Sequence, residues 1–306
     1  MGGMAYSIGL VVHPTRDVRT SVDLITRFAG ARNATVLVRA ADAARMGDGV
    51  TVVGAEEFVD RIDALISLGG DGTMLGAMRL VVGRKVPVLG VNHGNLGFLV
   101  EVSPDGLEAA LERVVDGDYT LESHSCLEVD GRLTAFNDLV VTGVEAFSDM
   151  TVDLVVNGVR HGYYRSDALV VCTPMGSTAY NYAAGGPVIS PSSLSVALTP
   201  VAPMAGISRS VVLGGDDVIA LHNPSAERPL RLSVDGMTTG ELAPGSELAI
   251  RLRADAVSLI RLDAGAYAQR SRVKLSLLDL PLRRDQLIEL VPPALRERAE
   301  KMVVER

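Results

Sequence analysis

Near Tyr119 the rhythm of this chain changes, and that change limits what it can fold into. Before it, short apolar runs alternate with stretches of helical spacing. Tyr6–Val12, Ala34–Val38, Val50–Val53, Ala64–Leu68 and Val86–Val91 read as strands. Between them, Val18, Val22, Ile25 and Ala29 recur at helical spacing, with Gly30 as a stop. A short acidic helix is expected near Ala55–Arg61, another over Thr73–Val82, and one opened by Ser103-Pro104 and running through Val115. Strands alternating with helices imply a parallel, doubly wound sheet.

After Tyr119 the strands are short and follow one another with few helices. Val152–Val156 and Val159–Tyr163 flank Asn157-Gly158, a strong two-residue hairpin signal. More strands are expected near Leu169–Cys172, Leu194–Val201, Val218–Leu221, Leu230–Val234, Glu247–Leu252 and Val257–Leu262. This pattern fits a β-sandwich. The expected fold is thus an α/β, Rossmann-like, doubly wound domain over 1–118 and an all-β, sandwich-like domain over 119–280. The tail turns helical after Leu280, is interrupted at Pro292-Pro293, and ends in a charged helix, Ala294–Val304.

Composition narrows the function. Hydrophobic residues make up 47% of the chain but aromatic residues only 4%, so the core is mainly aliphatic. A net charge of −8 disfavours non-specific binding to nucleic acid or to an anionic membrane. Phosphates must then be bound by backbone N–H groups and a few placed cations. No apolar stretch approaches the ~20 residues of a membrane helix, and the N-terminus lacks the pattern of a secretory signal. A soluble, cytoplasmic protein is expected. Cys126 and Cys172 lie in apolar runs and read as reduced, buried thiols. The five histidines show no zinc spacing with them, so no metal-ligating set is assigned.

The chemistry concentrates at Ser67-Leu68-Gly69-Gly70-Asp71-Gly72-Thr73, which follows a buried strand and opens a helix. Open α/β sheets bind ligands at the carboxyl ends of their strands. Glycines let a phosphate approach the backbone, and the helix start favours negative charge. Asp71 carries the charge of a phosphate and would repel one. It makes sense as a general base for a hydroxyl nucleophile or as a magnesium ligand. A turn in which Asp71 merely caps the helix is the plain alternative. The glycine spacing fits neither the dinucleotide fingerprint nor a P-loop.

Gly69-Gly70-Asp71-Gly72-Thr73 resembles the motif shared by NAD kinases, diacylglycerol and sphingosine kinases and, more distantly, 6-phosphofructokinases. Three further segments resemble the NAD kinase family in order and spacing, from about Ala64 to Gly240. They are Val88–Leu99, Phe136-Asn137-Asp138, and Arg165–Leu169 leading into Thr173–Asn181 and Gly185-Gly186-Pro187. The resemblance implies a kinase acting on NAD with ATP (or polyphosphate) as donor and a divalent metal cation, Mg²⁺. It makes Asp71 the proton acceptor for the adenosine ribose 2′-hydroxyl and sets Gly69, Gly70, Gly72 and Thr73 against nucleotide. Asn137 and Asp138 would hydrogen-bond the dinucleotide. Asp167 would contact its nicotinamide end, and Arg165 would offset phosphate charge. Thr178, Ala179 and Tyr180 would line the adenine pocket, with Ala183 and Ala202 at further binding positions. The family implies a homodimer or homotetramer built through the β-domain, and a C-terminal segment, 281–306, that packs back on the first domain.

Three departures from the family pattern stand out. Asp138 replaces the usual Glu, Gly76 stands where several bacterial members carry Arg, and Ala205-Gly206 replaces the usual Pro-His. His93 reads as a polar loop residue. Arg270, Arg272 and Lys274 form a basic patch on an expected strand edge. Two alternatives stand beside this reading: a lipid kinase sharing only the first motif, and a non-catalytic NAD(P) sensor retaining the fold.

Overall fold

The computed structural model describes residues 6–94, 99–145 and 148–263. The expected return of 281–306 to the first domain, the helix at 294–304 and the basic patch of Arg270, Arg272 and Lys274 lie outside these residues. Two compact units emerge. Among the described residues, one comprises 6–80, 86–122 and 259–263, and the other comprises 81–85 and 123–258.

The first unit is built on parallel strands. They are β1 (Ser7–Val12), β2 (Thr35–Arg39), β3 (Thr51–Val53), β4 (Ala64–Gly69) and β5 (Val88–Asn92), in the spatial order β5-β4-β1-β2-β3. All six residues of β4 are buried, as a strand covered on both faces requires. Helix α1 (Arg19–Ala31) buries Ser21, Val22, Ile25 and Ala29, one stripe at helical period. The short helices α2 (Ala40–Ala43) and α3 (Ala55–Phe58) follow β2 and β3, and α4 (Asp71–Leu80) follows β4. Helix α5 (Leu107–Asp116) ends at Gly117, whose φ of 73° is left-handed. Helices α1 and α5 pack with Ile8, Leu10, Ile66 and Leu68 in one core cluster. Helix α4 lies on the other face, where the Met74 sulfur approaches Gly90.

Two expectations need correction here. Helix α1 does not stop at Gly30 but runs to Ala31, and the left-handed residue beyond it is Asn33, with φ 52°. Asparagine tolerates that conformation because its short polar side chain bonds locally. Helix α4 begins at Asp71 rather than Thr73, so the acid sits in its first turn.

The second unit is all-β apart from one short helix. Its strands are β6 (Thr120–Val129, entered from the first unit), β7 (Leu133–Ala135), β8 (Asp138–Gly143), β9 (Met150–Val156), β10 (Val159–Ser166) and β11 (Ala168–Cys172). After helix α6 (Tyr180–Ala183) come β12 (Ser195–Val201), β13 (Ala205–Gly206), β14 (Val211–Gly214), β15 (Ile219–His222), β16 (Leu230–Val234), β17 (Met237–Leu242) and β18 (Glu247–Arg261). One antiparallel sheet has the order β14-β12-β11-β8-β16-β17. Facing it, β10, β9, β15 and the first part of β18 pair antiparallel. Leu139, Val141, Leu169 and Leu198 of the one layer pack with Val152, Leu154, Leu221 and Ile250 of the other, which makes the sandwich core. The β9–β10 turn has Asn157 at φ 52° and Gly158 at φ 77°, as a primed hairpin turn requires. The two strands expected over 247–252 and 257–262 are one, with an irregularity at Asp255, φ 48°.

Gly69 has a packing role. A Cβ there would lie 2.2 Å from Thr73 Oγ1 and 2.6 Å from Thr73 Cβ. Gly76, inside α4, has nothing within 4 Å of its Cβ position. Urea unfolding should therefore separate two superficially similar changes. Gly69→Ala is expected to lose about 1–3 kcal/mol by overpacking, and Gly76→Ala to gain about 0.5–1 kcal/mol of helix propensity. Equal effects from both would refute this account of the turn.

Candidate functional site

In the strand order β3-β2-β1-β4-β5 the chain runs outward in opposite directions from β1 and β4. Their carboxyl ends, side by side, flank a topological switch point, where open α/β sheets bind ligands. An open cleft of about 560 Å³ lies there. Its lining includes His13 and Arg16 from the loop after β1, Arg39 from the end of β2, and Gly70, Asp71 and Gly72 after β4.

Asp71 is oriented from outside its own helix. The Leu99 N–H donates to Asp71 Oδ1 at 3.0 Å. Leu99 is held in turn by a buried arginine, since Arg261 Nη1 donates to the Leu99 carbonyl at 3.2 Å. Arg261 is 4% exposed and forms ion pairs with Glu101 and Glu122. Glu101 also accepts the Leu262 N–H at 3.0 Å. A lone buried guanidinium would be costly, and paired carboxylates offset that cost. Gly70 and Gly72 have nothing within 4 Å of a Cβ position, so their backbone is open to a ligand.

The cleft also holds two cations that sequence reasoning did not single out. Arg39 donates to one oxygen of Asp42, Oδ2, from both Nε at 3.0 Å and Nη2 at 2.7 Å. Asp42 is buried and also pairs with Arg45. Arg16 donates to the His93 carbonyl, and His93 N–H donates to the Gly69 carbonyl at 2.9 Å. This ties the loop after β5 to the glycine turn. Burial and the Arg16 charge hold the His93 ring below the usual histidine range. Arg16 and Arg39 each lie at or just beyond the carboxyl end of a parallel strand, and that position was the available signal. Gly76 also lines the cleft, so the cations there come from β1 and β2.

The second unit gathers another set. Asn137 and Asp138 lead into β8, and Asp138 lies opposite Cys172 at the end of β11. Asp138 is 4% exposed. Burial, and then the Asp235 carboxylate, push it up to about 6. Thr178, Ala179, Tyr180 and Ala183 follow β11, at the turn Met175–Thr178 and in α6. Tyr180 is 43% exposed, so its ring is available for stacking. The buried Asn181 anchors this segment. It donates to the carbonyls of Ser177 and Pro187 and accepts from the Thr199 hydroxyl at 2.7 Å.

Arg165, Asp167 and Ala202 stand apart from that cluster, at the other end of β11. Asp167 N–H donates to the Val201 carbonyl at 3.0 Å. Ala202 adopts φ 47°, a strained conformation for alanine. Arg165 Nε donates to Asp149 at 2.6 Å, so its charge already has a partner. Five strand residues separate the two groups, roughly 16 Å. Cys126 and Cys172 are buried free thiols, each pushed up to about 12 by burial.

Comparison with known proteins identifies the family. The chain matches the ATP-NAD kinase N-terminal domain over residues 8–119 and the ATP-NAD kinase C-terminal domain over 137–262. It is 38% identical over 223 residues to the NAD kinase of Gemmatimonas aurantiaca, covering 70% of this chain and 77% of that one. With the NAD kinase of Moorella thermoacetica it shares 36% identity over 280 residues, 88% of each chain. The yeast NADH kinase complexed with NADH superposes with a TM-score of 0.80 at 21% identity, covering 92% of this chain and 89% of that one. An NAD kinase from Archaeoglobus fulgidus in complex with ATP gives 0.67 at 23% identity, covering 89% and 98%. Those two likenesses establish the fold, and the matched domains and the closer relatives establish the rest: the chain belongs to the NAD kinase family.

Proposed function

We propose that this protein transfers the terminal phosphoryl group of ATP (or of polyphosphate) to the 2′-hydroxyl of the adenosine ribose of NAD, with Asp71 as general base. The observation that carries this reading is a carboxylate set among open glycine backbone and two arginines at the switch point. Oδ1 of Asp71 takes the Leu99 N–H, which fixes the plane of the carboxyl group. Asp71 accepts the 2′-hydroxyl proton as that oxygen attacks the phosphorus. The bond between phosphorus and the bridging oxygen breaks, the shortened donor departs with the electron pair, and Asp71 returns its proton to solvent. Arg16 and Arg39 balance the donor's phosphate charge, and the Gly70 and Gly72 backbone lies against it. Gly69 and Thr73 shape the turn beneath.

Asn137 and Asp138 hold the dinucleotide, because an ionised carboxylate accepts both hydroxyls of a ribose diol. Thr178, Ala179, Tyr180 and Ala183 serve the adenine end. Asp167, with Arg165 and Ala202 beside it, serves the nicotinamide end. Among the described residues no three His, Cys, Asp or Glu side chains converge on a metal site. A cation here would be held mostly by water and the donor's own oxygens. Mg²⁺, when bound, would supply positive charge that neutralises the phosphate oxygens. The protein acts in the cytoplasm as a homodimer or homotetramer formed through the β-unit. Among the described residues no helix is long and apolar enough to cross a membrane.

The test is NADP formation from NAD, ATP and Mg²⁺, read through an NADP-specific dehydrogenase. Asp71→Asn should cut kcat by about 10²–10⁴-fold; turnover within a few-fold of the parent would sink the assigned role. Arg16→Ala should raise the KM for ATP by roughly ten-fold and leave the KM for NAD unchanged. A rise in the NAD term alone would move Arg16 to the acceptor side. Tight NADP binding by a parent protein that turns over none of the donors would instead indicate a sensor.

A further inference from the structure

The segment Phe136-Asn137-Asp138 is gripped from two sides by residues that no functional assignment yet covers. Asp235 approaches from the turn between β16 and β17. Its Oδ2 accepts the Phe136 N–H at 3.1 Å, and its Oδ1 accepts the N–H groups of Asn137 at 2.7 Å and Asp138 at 3.1 Å. One carboxylate thus collects three consecutive backbone donors. The Asp235 N–H returns a bond to the Asp138 carbonyl at 2.9 Å. The carboxylate is aimed by its turn, with Asp235 at φ 45° and Gly236 at φ 80°.

From the other side, the Thr173 hydroxyl donates to the Phe136 carbonyl at 2.5 Å, and the Thr173 N–H donates to the Asn137 carbonyl at 3.0 Å. Thr173 is fully buried. Gly176 presses so close that a Cβ there would lie 2.0 Å from the Asn137 carbonyl oxygen. The backbone of the segment is therefore saturated from both faces. Both main-chain groups of Asn137 are engaged, which leaves its side chain for other work.

We propose that Asp235 and Thr173 are positioning residues for dinucleotide recognition: together they lock the Asn137-Asp138 backbone in the conformation that presents both side chains to the acceptor's ribose. This rests on the reading that Asn137 and Asp138 hold NAD. Neither positioning residue touches the ligand. The arrangement carries an electrostatic cost. Asp235, from the hairpin, and Cys172, from β11, face Asp138, and the Cys172 thiol stays neutral because burial raises it to about 12. Burial first, and the Asp235 charge second, raise Asp138 to about 6. Protonated Asp138 gives up acceptor capacity, so NAD binding weakens as pH falls through about 6. Removing the Asp235 charge lowers the Asp138 midpoint, and the acid limb of binding moves to lower pH.

The experiment is calorimetric titration of the full-length protein with NAD between pH 5 and 8, with thermal unfolding of each variant. Asp235→Asn keeps the shape but turns one acceptor into an amide N–H pointed at a backbone N–H. It should weaken NAD binding about ten-fold at pH 8 and shift the acid limb downward, while unfolding stays cooperative. A merely structural role would lower the melting temperature and leave affinity and limb where they were, and that result overturns the inference. Thr173→Val removes the hydroxyl bond to the Phe136 carbonyl while keeping the backbone bond to Asn137, and should weaken NAD binding in the same direction. If Asp235→Asn does not fold, unchanged affinity in Thr173→Val overturns the inference by itself. Asp138→Ala separates the two claims. If it leaves NAD affinity intact, the ribose reading falls, and this inference with it. If it weakens binding and the two positioning variants do not, only the inference falls.

Discussion

The parallel pairing of β1 with β4, from Ile8 opposite Ala64 to Val12 opposite Leu68, is the constraint on which the first unit's chemistry depends. It places two strand ends side by side with the chain departing in opposite directions, so a crevice must open between the departing loops. The residues proposed to act in that unit gather there: the loop carrying His13 and Arg16, the end of β2 carrying Arg39, and the first turn of α4 carrying Asp71. A helix start favours a carboxylate electrostatically, and the same N–H groups favour phosphate. On the proposed reading, Asp71 is thus stable where donor phosphates would also bind, which brings a base and its electrophile together.

Several charges near the candidate site are held by protein groups rather than by solvent alone. Arg261 is buried between Glu101 and Glu122 and fixes the Leu99 carbonyl, while the Leu99 N–H fixes Asp71. Asp42 is buried and fixes Arg39 and Arg45. Asp235 fixes the three amides of Phe136, Asn137 and Asp138. Each device spends a charged side chain on the orientation of a neighbour. That is how a chain with few aromatic residues and a net charge of −8 can still hold cations and acids in fixed positions.

Much of this was legible in the sequence, for reasons that are local. Asn157-Gly158 specified its hairpin because both residues tolerate positive φ. The strand before Gly69 and the helix after it were plain from apolar spacing, and so was the placement of Asp71 at a strand's carboxyl end. Local rules also misled. Gly30 looked like a helix stop, yet packing carried α1 through it and gave the left-handed turn to Asn33. The irregularity at Asp255 hid a single 15-residue strand inside two expected ones. Contacts distant in sequence left no trace. Arg261 lies 162 residues from Leu99, and Asp235 lies 98 from Asn137. Asp235-Gly236 did carry a hairpin signal of the same kind as Asn157-Gly158, but a turn signal says nothing of which loop its carboxylate will reach. Nor does residue type separate Asn137 and Asp138 from Arg165, Asp167 and Ala202. Only the register of β11 puts them at opposite ends.

The central claim is a division of labour: Asp71 performs the proton transfer, while the acceptor is bound by the Asn137-Asp138 segment and the residues around α6. Equilibrium binding of NAD to full-length Asp71→Asn protein, measured by calorimetry beside the parent, tests it most directly. The account predicts affinity within about two-fold of the parent in a protein whose turnover has collapsed. Affinity lost in proportion to turnover would contradict it, and would make Asp71 a binding residue rather than the base.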